Sequence, residues 1–145
     1  MISENRLHYS VNVARKAYKI AKSLGKSENF ARRCFALGWN HDIGYEFDPD
    51  NHADVGAEIL AEFDDTEAIK FHGEVPEIKS DEWRILALAD MTTSPTGEEV
   101  SLDDRLAEIE ERYGNDHKWY ISSKRLCDEL KKEYRGILDN RGNLV

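Results

Sequence analysis

The stretch Trp39-Asn40-His41-Asp42-Ile43-Gly44-Tyr45 places two adjacent metal-binding residue types at the end of an apolar helical pattern. Imidazole and carboxylate are the usual protein ligands of catalytic divalent metals. Further residues of these two types follow at helix-sized intervals. Because a helical bundle builds a metal site from side chains on facing helices, the ordered series predicts such a site in the core. The predicted metal ligands are His41, Asp42, His52, His72 and Asp90.

Length and charge restrict the possible classes of protein. A chain of 145 residues is expected to form one domain that is long enough to bury a core. Its formal net charge is −9, and its basic residues are interspersed with acidic ones. This distribution argues against a nucleic-acid-binding surface and against a polybasic membrane surface. We therefore expect neither nucleic acid nor a membrane as a partner.

The two cysteines and the absence of long apolar stretches bear on the compartment. Cys34 and Cys127 lie far apart, each within an amphipathic helical pattern, and are expected to be small buried side chains in a reducing compartment. No stretch approaches the length of a membrane-spanning helix, and the polar N-terminus lacks the apolar segment of a signal peptide. We therefore expect a cytoplasmic protein.

The apolar residues recur with helical spacing almost throughout, and no series of strands is apparent. We predict an all-α, single-domain helical bundle of about six to seven helices. The domain is expected to span residues 1–138, with the metal-site core at 6–91, the C-terminal helices at 101–138 and a frayed tail at 139–145.

Capping and helix-breaking residues set the expected helix boundaries. Ser27, Ser80 and Ser101 are predicted N-caps, and Gly114 is a predicted helix end. The expected helices run from Ser3 to Leu24, from Ser27 to the His41-Asp42 pair, from about His52, from Thr66 through His72, from Ser80 to Asp90, from Leu102 to Gly114, and over about 116–138.

The order of the predicted ligands and their neighbouring residues resembles a known family. The neighbours are HDIGYEF at 41–47, HADVGAEIL at 52–60, FHGE at 71–74 and LALADM at 86–91. Together they resemble the HD-domain superfamily of metal-dependent phosphohydrolases, in particular its HDIG-type members, over roughly residues 6–113. The pattern of that superfamily is a His, then a His-Asp pair, then two optional His residues, then an Asp.

The resemblance implies a metal centre and a reaction. In the family pattern His41, Asp42 and Asp90 would hold a first metal ion, and His52 and His72 would hold a second one bridged by Asp42. Two such ions clamp a phosphate and generate a hydroxide nucleophile near neutral pH. The implied function is hydrolysis of a small phosphorylated metabolite or nucleotide, with Asp42 as the catalytic residue. The cofactor would be one or two divalent ions, and the ligands do not distinguish Mn, Fe, Co, Ni, Mg and Zn.

One position departs from the family pattern, in which the first helix carries a His followed by a Ser. The small residues Val13, Ala17 and Ala21 match the family spacing only if Tyr9 occupies the position of that His. His8 lies on the polar face of the helix and is expected to face solvent. Because a phenol with a pKa near 10 is a poor ligand for Mg²⁺ or Mn²⁺, the first metal would keep three ligands and bind more weakly.

Several alternatives stay open on the sequence alone. The same ligand order is found in di-iron oxygenases of the superfamily, and Tyr9 favours a degenerate binding or regulatory module with weakened metal binding. His52 could instead be an exposed residue at a helix start. The helix at 116–138 could form an oligomer interface. Candidates for contact with a substrate phosphate are Arg6, Lys70, Arg84 and Lys118.

Overall fold

Seven α-helices make up most of the described part of this computed structural model, which comprises residues 4–46, 49–59 and 66–145. The helices are α1 (Glu4–Ser23), α2 (Glu28–Asn40), α3 (His52–Ile59), α4 (Thr66–Lys70), α5 (Asp81–Met91), α6 (Leu102–Tyr113) and α7 (Lys118–Glu133). Two short 3₁₀ helices, Ile43–Glu46 and Pro49–Asn51, connect α2 to α3. Within these residues no strand forms beyond isolated bridges. The predicted all-α class is therefore confirmed.

Helices α1 and α2 lie against each other through a glycine contact. A Cβ atom at Gly38 would lie 2.6 Å from the Cα of Ala14 and 2.8 Å from its backbone nitrogen. Only a residue without a side chain permits this approach. The contact fixes the end of α2, where His41 and Asp42 follow, against the first helix.

Helix α5 forms the centre of the core. It packs against both α1 and α2, and every residue from 85 to 91 is buried. A helix that is surrounded by others has to be apolar on all sides, and the sequence Ile-Leu-Ala-Leu-Ala before Asp90 satisfies this requirement. Asp90 is thereby held in the interior, near the C-terminal end of the central helix.

Serine side chains begin three of the helices, as predicted. Ser27, Ser80 and Ser101 accept hydrogen bonds from backbone N–H groups at the starts of α2, α5 and α6. Each bond satisfies an N–H group that has no partner within its helix, which stabilises a helix by about 1 kcal/mol. The predicted start of the first helix at Ser3 lies outside the described residues.

The C-terminal part differs from the expectation. Helix α7 is shorter than the predicted 116–138, because the side chain of His117 caps its start and its last turn ends at Tyr134. The tail at 139–145, which the sequence predicts to be frayed, forms backbone hydrogen bonds in the structure. The Leu102 N–H donates to the carbonyl of Gly142 at 3.1 Å, and the Val145 N–H donates to the carbonyl of Ile137 at 3.0 Å. The tail therefore covers the start of α6.

Both cysteines are buried, as the sequence predicts. Cys34 and Cys127 are both buried, with 1% and 2% of their surface exposed. No helix in the described ranges is both long and apolar enough to cross a membrane.

Candidate metal centre

The His41-Asp42 pair lies in the turn directly after α2, which ends at Asn40. Adjacent residues in a regular helix point about 100° apart, so both could not face one point within it. The change from α-helix to the 3₁₀ helix at Ile43 relaxes this restriction. Both side chains are buried, with 0% and 5% exposure, and they face the same interior region.

The three histidines of the site are held in the same way. Each ring bonds through Nδ1 to the backbone carbonyl three residues earlier, which leaves Nε2 directed towards the centre. Because a carbonyl only accepts hydrogen bonds, Nδ1 carries a proton, and a ring in its neutral form presents the lone pair of Nε2 to a metal. The bonds run from His41 to Gly38 (2.7 Å), from His52 to Pro49 (3.1 Å) and from His72 to Ile69 (2.6 Å).

The carboxylate of Asp42 lies between these rings. Its Oδ1 is 3.4 Å from His52 Nε2 and 3.6 Å from His72 Nε2, and the two nitrogens are 3.1 Å apart. Three atoms with these separations lie on a circle of about 2.0 Å radius, and Zn²⁺ and Mg²⁺ bind nitrogen and oxygen at roughly 2.0–2.2 Å. The three atoms therefore fit around one divalent ion.

The other oxygen of Asp42 faces a second group of residues. Oδ2 lies 3.2 Å from His41 Nε2, which is 3.3 Å from Asp90 Oδ1. The Nη1 of Arg6 donates to the same Asp42 Oδ2 at 3.0 Å. His41 Nε2 is buried and has no hydrogen bond of good geometry to any described residue. This nitrogen and the two carboxylates form a buried site for a positive charge.

Tyr9 contacts this second group, and His8 does not. The Tyr9 hydroxyl donates to the Asp90 carboxylate and lies 3.1 Å from the Asp90 carbonyl oxygen, whereas His8 is exposed. The helix thus has the register predicted from the small residues. Burial, and next the charge of Asp90, raise the pKa of Tyr9 well above its ordinary value. The phenol therefore keeps its proton and acts as a hydrogen-bond donor.

The charges at the site suit cation binding. Burial raises the pKa of Asp42 and Asp90, but the charge and hydrogen bonding of His41 and the charge of His72 together hold both pKa values well below their usual range. Burial, and next His72, lower the pKa of His52 to about 4. Burial alone would lower the pKa of His41, yet the carboxylates of Asp42 and Asp90 raise it well above the ordinary value. At neutral pH both acids are ionised and His52 is neutral.

The structure brings all five sequence-predicted ligands together. Among the described residues two groups have ligand atoms within 4.8 Å of one another, His41 with His72 and Asp90, and Asp42 with His52 and His72. The position of His72 differs in detail from the expectation, because it lies in the turn after α4 instead of within that helix. The chemistry and spacing of these donors fit one or two divalent ions.

Four of the five predicted ligands, Asp42, His52, His72 and Asp90, line a cavity of about 410 Å³, and His41 is fully buried beside Asp42. Three of the four cations suggested by the sequence line this cavity, but Arg84 does not and instead pairs with Asp81 (3.1 Å) and Glu133 (3.7 Å). Two further arginines on α6 line it and were missed. Their spacing of seven residues, two turns of one helix face, was the signal available in the sequence. The lining cations are Arg6, Lys70, Arg105, Arg112 and Lys118.

Arg105 has the most buried side chain of these five cations. Its side chain is 14% exposed, and Nη1 donates to Glu108 at 2.8 Å. Its Nε is buried and has no hydrogen-bond partner among the described residues. Because Arg105 lines the cavity, its guanidinium is placed to contact a bound anion.

Aromatic rings form another part of the wall. The Tyr45 ring lies 4.1 Å from the ring of His52, and the Arg6 guanidinium lies 4.0 Å from the centre of Tyr45. Tyr113 and Trp119 meet edge to face at 4.9 Å. These rings provide apolar surface beside the cations.

Comparison with known proteins gives two matches. The family model described as HD domain matches residues 6–114, which include Tyr9 and all five predicted ligands. Ribonuclease Y of Aster yellows witches'-broom phytoplasma (strain AYWB) is 33% identical over 99 residues, which cover 63% of this chain and 18% of that protein. The chain therefore spans less than one fifth of the length of that relative.

Proposed function

The chain belongs to the HD-domain family, and from this membership we propose that it is a metal-dependent phosphohydrolase that acts on a small phosphorylated metabolite or nucleotide. One observation carries the proposal. Three imidazoles and two carboxylates lie close together, and four of these five groups line a cavity that is also lined by five cationic side chains. This combination provides a site for a divalent ion and a site for a phosphate side by side.

The ligand side chains are held in place by their own surroundings. Bonds from Nδ1 to backbone carbonyls fix the three imidazole rings, and Asp42 reaches His41, His52 and His72 through its two oxygens. A divalent ion bound to such groups supplies Lewis acidity towards a phosphoryl oxygen and lowers the pKa of a water molecule. The residues contribute the fixed geometry on which this chemistry depends.

The cavity wall would bind and orient the substrate. Arginine and lysine pair with phosphate through charge-assisted hydrogen bonds, and Arg105 lines the cavity where such a group would bind. The volume of about 410 Å³ is within the range of small-molecule sites, roughly 300–1,000 Å³. Tyr45 and Trp119 would provide apolar contact for the rest of the molecule. The name of the similar ribonuclease denotes phosphoester cleavage in that protein, which supports the same bond type here.

The proposal also covers the partners and the compartment of the protein. The interspersed charges and the net charge of −9 support a protein that binds neither nucleic acid nor a membrane. Two buried cysteines support a reducing, cytoplasmic setting. Ile121 on α7 is 57% exposed, which supports α7 as the place for any contact between copies.

Phosphate release from a substrate panel tests the proposal. The purified protein is loaded with Mn²⁺, Co²⁺, Ni²⁺ or Fe²⁺ and incubated with phosphorylated sugars, nucleotides and short RNA. We expect release of phosphate from at least one small substrate, and loss of release in Asp42→Asn. Asp128→Asn, at a carboxylate on the outer face of α7, is the matched control and should behave as the native protein.

Two outcomes would contradict the proposal. A metal-loaded protein that releases no phosphate from any member of the panel would argue for a binding or regulatory module. Oxygen consumption by the iron-loaded protein, without phosphate release, would identify the oxygenase alternative.

A further inference from the structure

The carboxylate of Asp42 divides the metal centre into two halves. Its Oδ1 faces His52 and His72, at 3.4 and 3.6 Å, and these three groups are called the His52 half. Its Oδ2 faces His41 at 3.2 Å, and with Asp90 these groups are called the His41 half. A ring nitrogen of His72 also lies within 4.8 Å of the ligand atoms of His41 and Asp90, so His72 adjoins both halves. The family pattern implies one ion in each half. The two halves, however, have different surroundings in this chain.

The His52 half has the form of a three-ligand metal site. The three atoms are 3.1 to 3.6 Å apart, so one ion can contact all of them at an ordinary bond length of about 2.0–2.2 Å. Both rings are anchored through Nδ1, to Pro49 and Ile69. His52 is 23% exposed at its side chain and lies at the cavity, which gives an ion a path of entry.

The His41 half is occupied by hydrogen-bond donors of the protein itself. The Tyr9 hydroxyl donates to the Asp90 carboxylate, and Arg6 donates to Asp42 Oδ2 at 3.0 Å. His41 Nε2 lies between the two carboxylates and within ion-pair distance of both. A metal at this position would compete with the phenol for Asp90 Oδ1 and with the guanidinium for Asp42 Oδ2.

The residue at position 9 is responsible for much of this difference. A histidine there would offer a lone pair to a metal, whereas a protonated phenol offers a hydrogen to the neighbouring carboxylate. Tyr9 is 2% exposed, so water does not compete for its hydroxyl. The substitution therefore removes a ligand and also gives Asp90 a different partner.

We propose that this chain holds a single divalent ion, bound by Asp42 Oδ1, His52 Nε2 and His72 Nε2, and that Tyr9 and Arg6 close the His41 half. This inference rests on the proposed metal-dependent function and specifies which residues hold the ion. In this arrangement His41 and Asp90 are positioning residues that fix Asp42. The open face of the His52 half is directed to the cavity and is available to substrate.

The number of bound ions tests the inference without any substrate. The protein is freed of metal by chelation and titrated with Mn²⁺, and electron paramagnetic resonance measures the unbound ion. We expect about one Mn²⁺ per native chain, none in His52→Ala, and about one in Asp90→Asn and in His41→Gln. Tyr9→His restores the family ligand and should raise the number towards two. Asp128→Asn is the matched surface control, and circular dichroism checks that each variant is folded.

The possible outcomes distinguish an ion bound in the His52 half from an ion bound in the His41 half. Two Mn²⁺ per native chain, or one that is lost in Asp90→Asn and retained in His52→Ala, would overturn the inference. His52 is partly exposed, so its variant is informative even if a variant at a buried position fails to fold. Because the titration involves no catalysis, a single ion in the His52 half without phosphate release would contradict only the proposed function. Phosphate release with two ions would contradict only this inference.

Discussion

The hydroxyl group of Tyr9 donates a hydrogen bond to the carboxylate of Asp90, 81 residues further along the chain. The same hydroxyl lies 3.1 Å from the Asp90 carbonyl oxygen. The contact joins α1 to the C-terminal end of the central helix α5 at the point where the metal centre lies. Both side chains are buried, so the bond replaces water around a buried negative charge.

Tyr9→Phe tests how much this bond stabilises the fold. Removal of the hydroxyl leaves a buried carboxylate with one donor fewer, and a hydrogen bond to a charged group contributes about 1.5–3 kcal/mol. We expect the free energy of unfolding in the presence of a chelator to fall by roughly that amount. Urea denaturation followed by circular dichroism measures it.

A second tyrosine provides the control for this prediction. The hydroxyl of Tyr18 bonds to Glu28 at 2.8 Å in a more exposed setting. Tyr18→Phe removes the same atom and should lower the stability clearly less. If both variants lose the same free energy of unfolding, the bond to Asp90 stabilises the fold no more than the exposed bond to Glu28 does.

Gly38→Ala tests the close approach of α1 and α2. The added methyl group would lie 2.6 Å from the Cα of Ala14, and because that atom is backbone the helices have to move apart. Overpacking of this kind costs about 1–3 kcal/mol, and thermal denaturation should show it. Since the Gly38 carbonyl accepts from His41 Nδ1 at 2.7 Å, Mn²⁺ binding measured by titration should weaken as well.

The matched control is Gly136→Ala, because a Cβ atom there meets nothing within 4 Å. Its stability should change by less than about 0.5 kcal/mol. A stable Gly38→Ala variant with native Mn²⁺ affinity would mean that the helix pair adapts without effect on the site.

Because the thiol of Cys127 is buried, we expect the stability of the fold to fall at alkaline pH. Burial raises its pKa from 9.0 to about 12. The unfolded thiol therefore ionises first as the pH rises, and the stability that the buried neutral thiol contributes is complete below pH 9 and lost between pH 9 and about 12. A raised pKa of this kind lowers the stability by roughly 1 kcal/mol between pH 8 and 10.

The comparison with Cys127→Ala isolates this contribution from other groups that titrate. Urea denaturation at pH 8 and at pH 10 should show a steeper loss in the native protein than in the variant. Identical slopes would contradict the prediction. Thiol titration at pH 8 provides a second measurement, and Cys127 should react only after urea is added.

The parts of the fold that the sequence predicts well depend on local signals. Ser27, Ser80 and Ser101 cap helices because each has a hydroxyl next to a helical pattern, and these contacts span three residues. The register of α1 follows from its small residues in the same way. The all-α class and the family could be predicted because the residues that define them are ordered along the chain.

Long-range contacts were not predictable in the same manner. Nothing near Tyr9 in the sequence indicates that its hydroxyl donates a hydrogen bond to Asp90, since the packing of α1 on α5 decides this contact. The tail at 139–145 has few apolar residues, and its order comes from backbone bonds to α6. Arg105 resembles any arginine on an amphipathic helix until the fold directs it into the cavity.

Arg105→Gln tests whether this arginine binds an anion in the cavity. The side chain of Arg105 is 14% exposed and lines the cavity, so a phosphate in the cavity can contact the guanidinium. Hydrogen bonds between charged groups contribute about 1.5–3 kcal/mol, which corresponds to a roughly 10- to 100-fold change in affinity. Calorimetric titration of the Mn²⁺-loaded protein with inorganic phosphate should show a dissociation constant raised by this factor.

The control for Arg105 has to share its charge and not its position. Arg141 is 61% exposed and pairs with Asp104 at 2.8 Å, outside the cavity. Arg141→Gln removes the same charge from the protein and should leave phosphate affinity unchanged, because an exposed charge at a distance is screened by salt. If both variants weaken phosphate binding equally, the effect is one of net charge. If a folded Arg105→Gln variant binds phosphate as tightly as the native protein, Arg105 serves to hold Glu108 and the start of α6 instead.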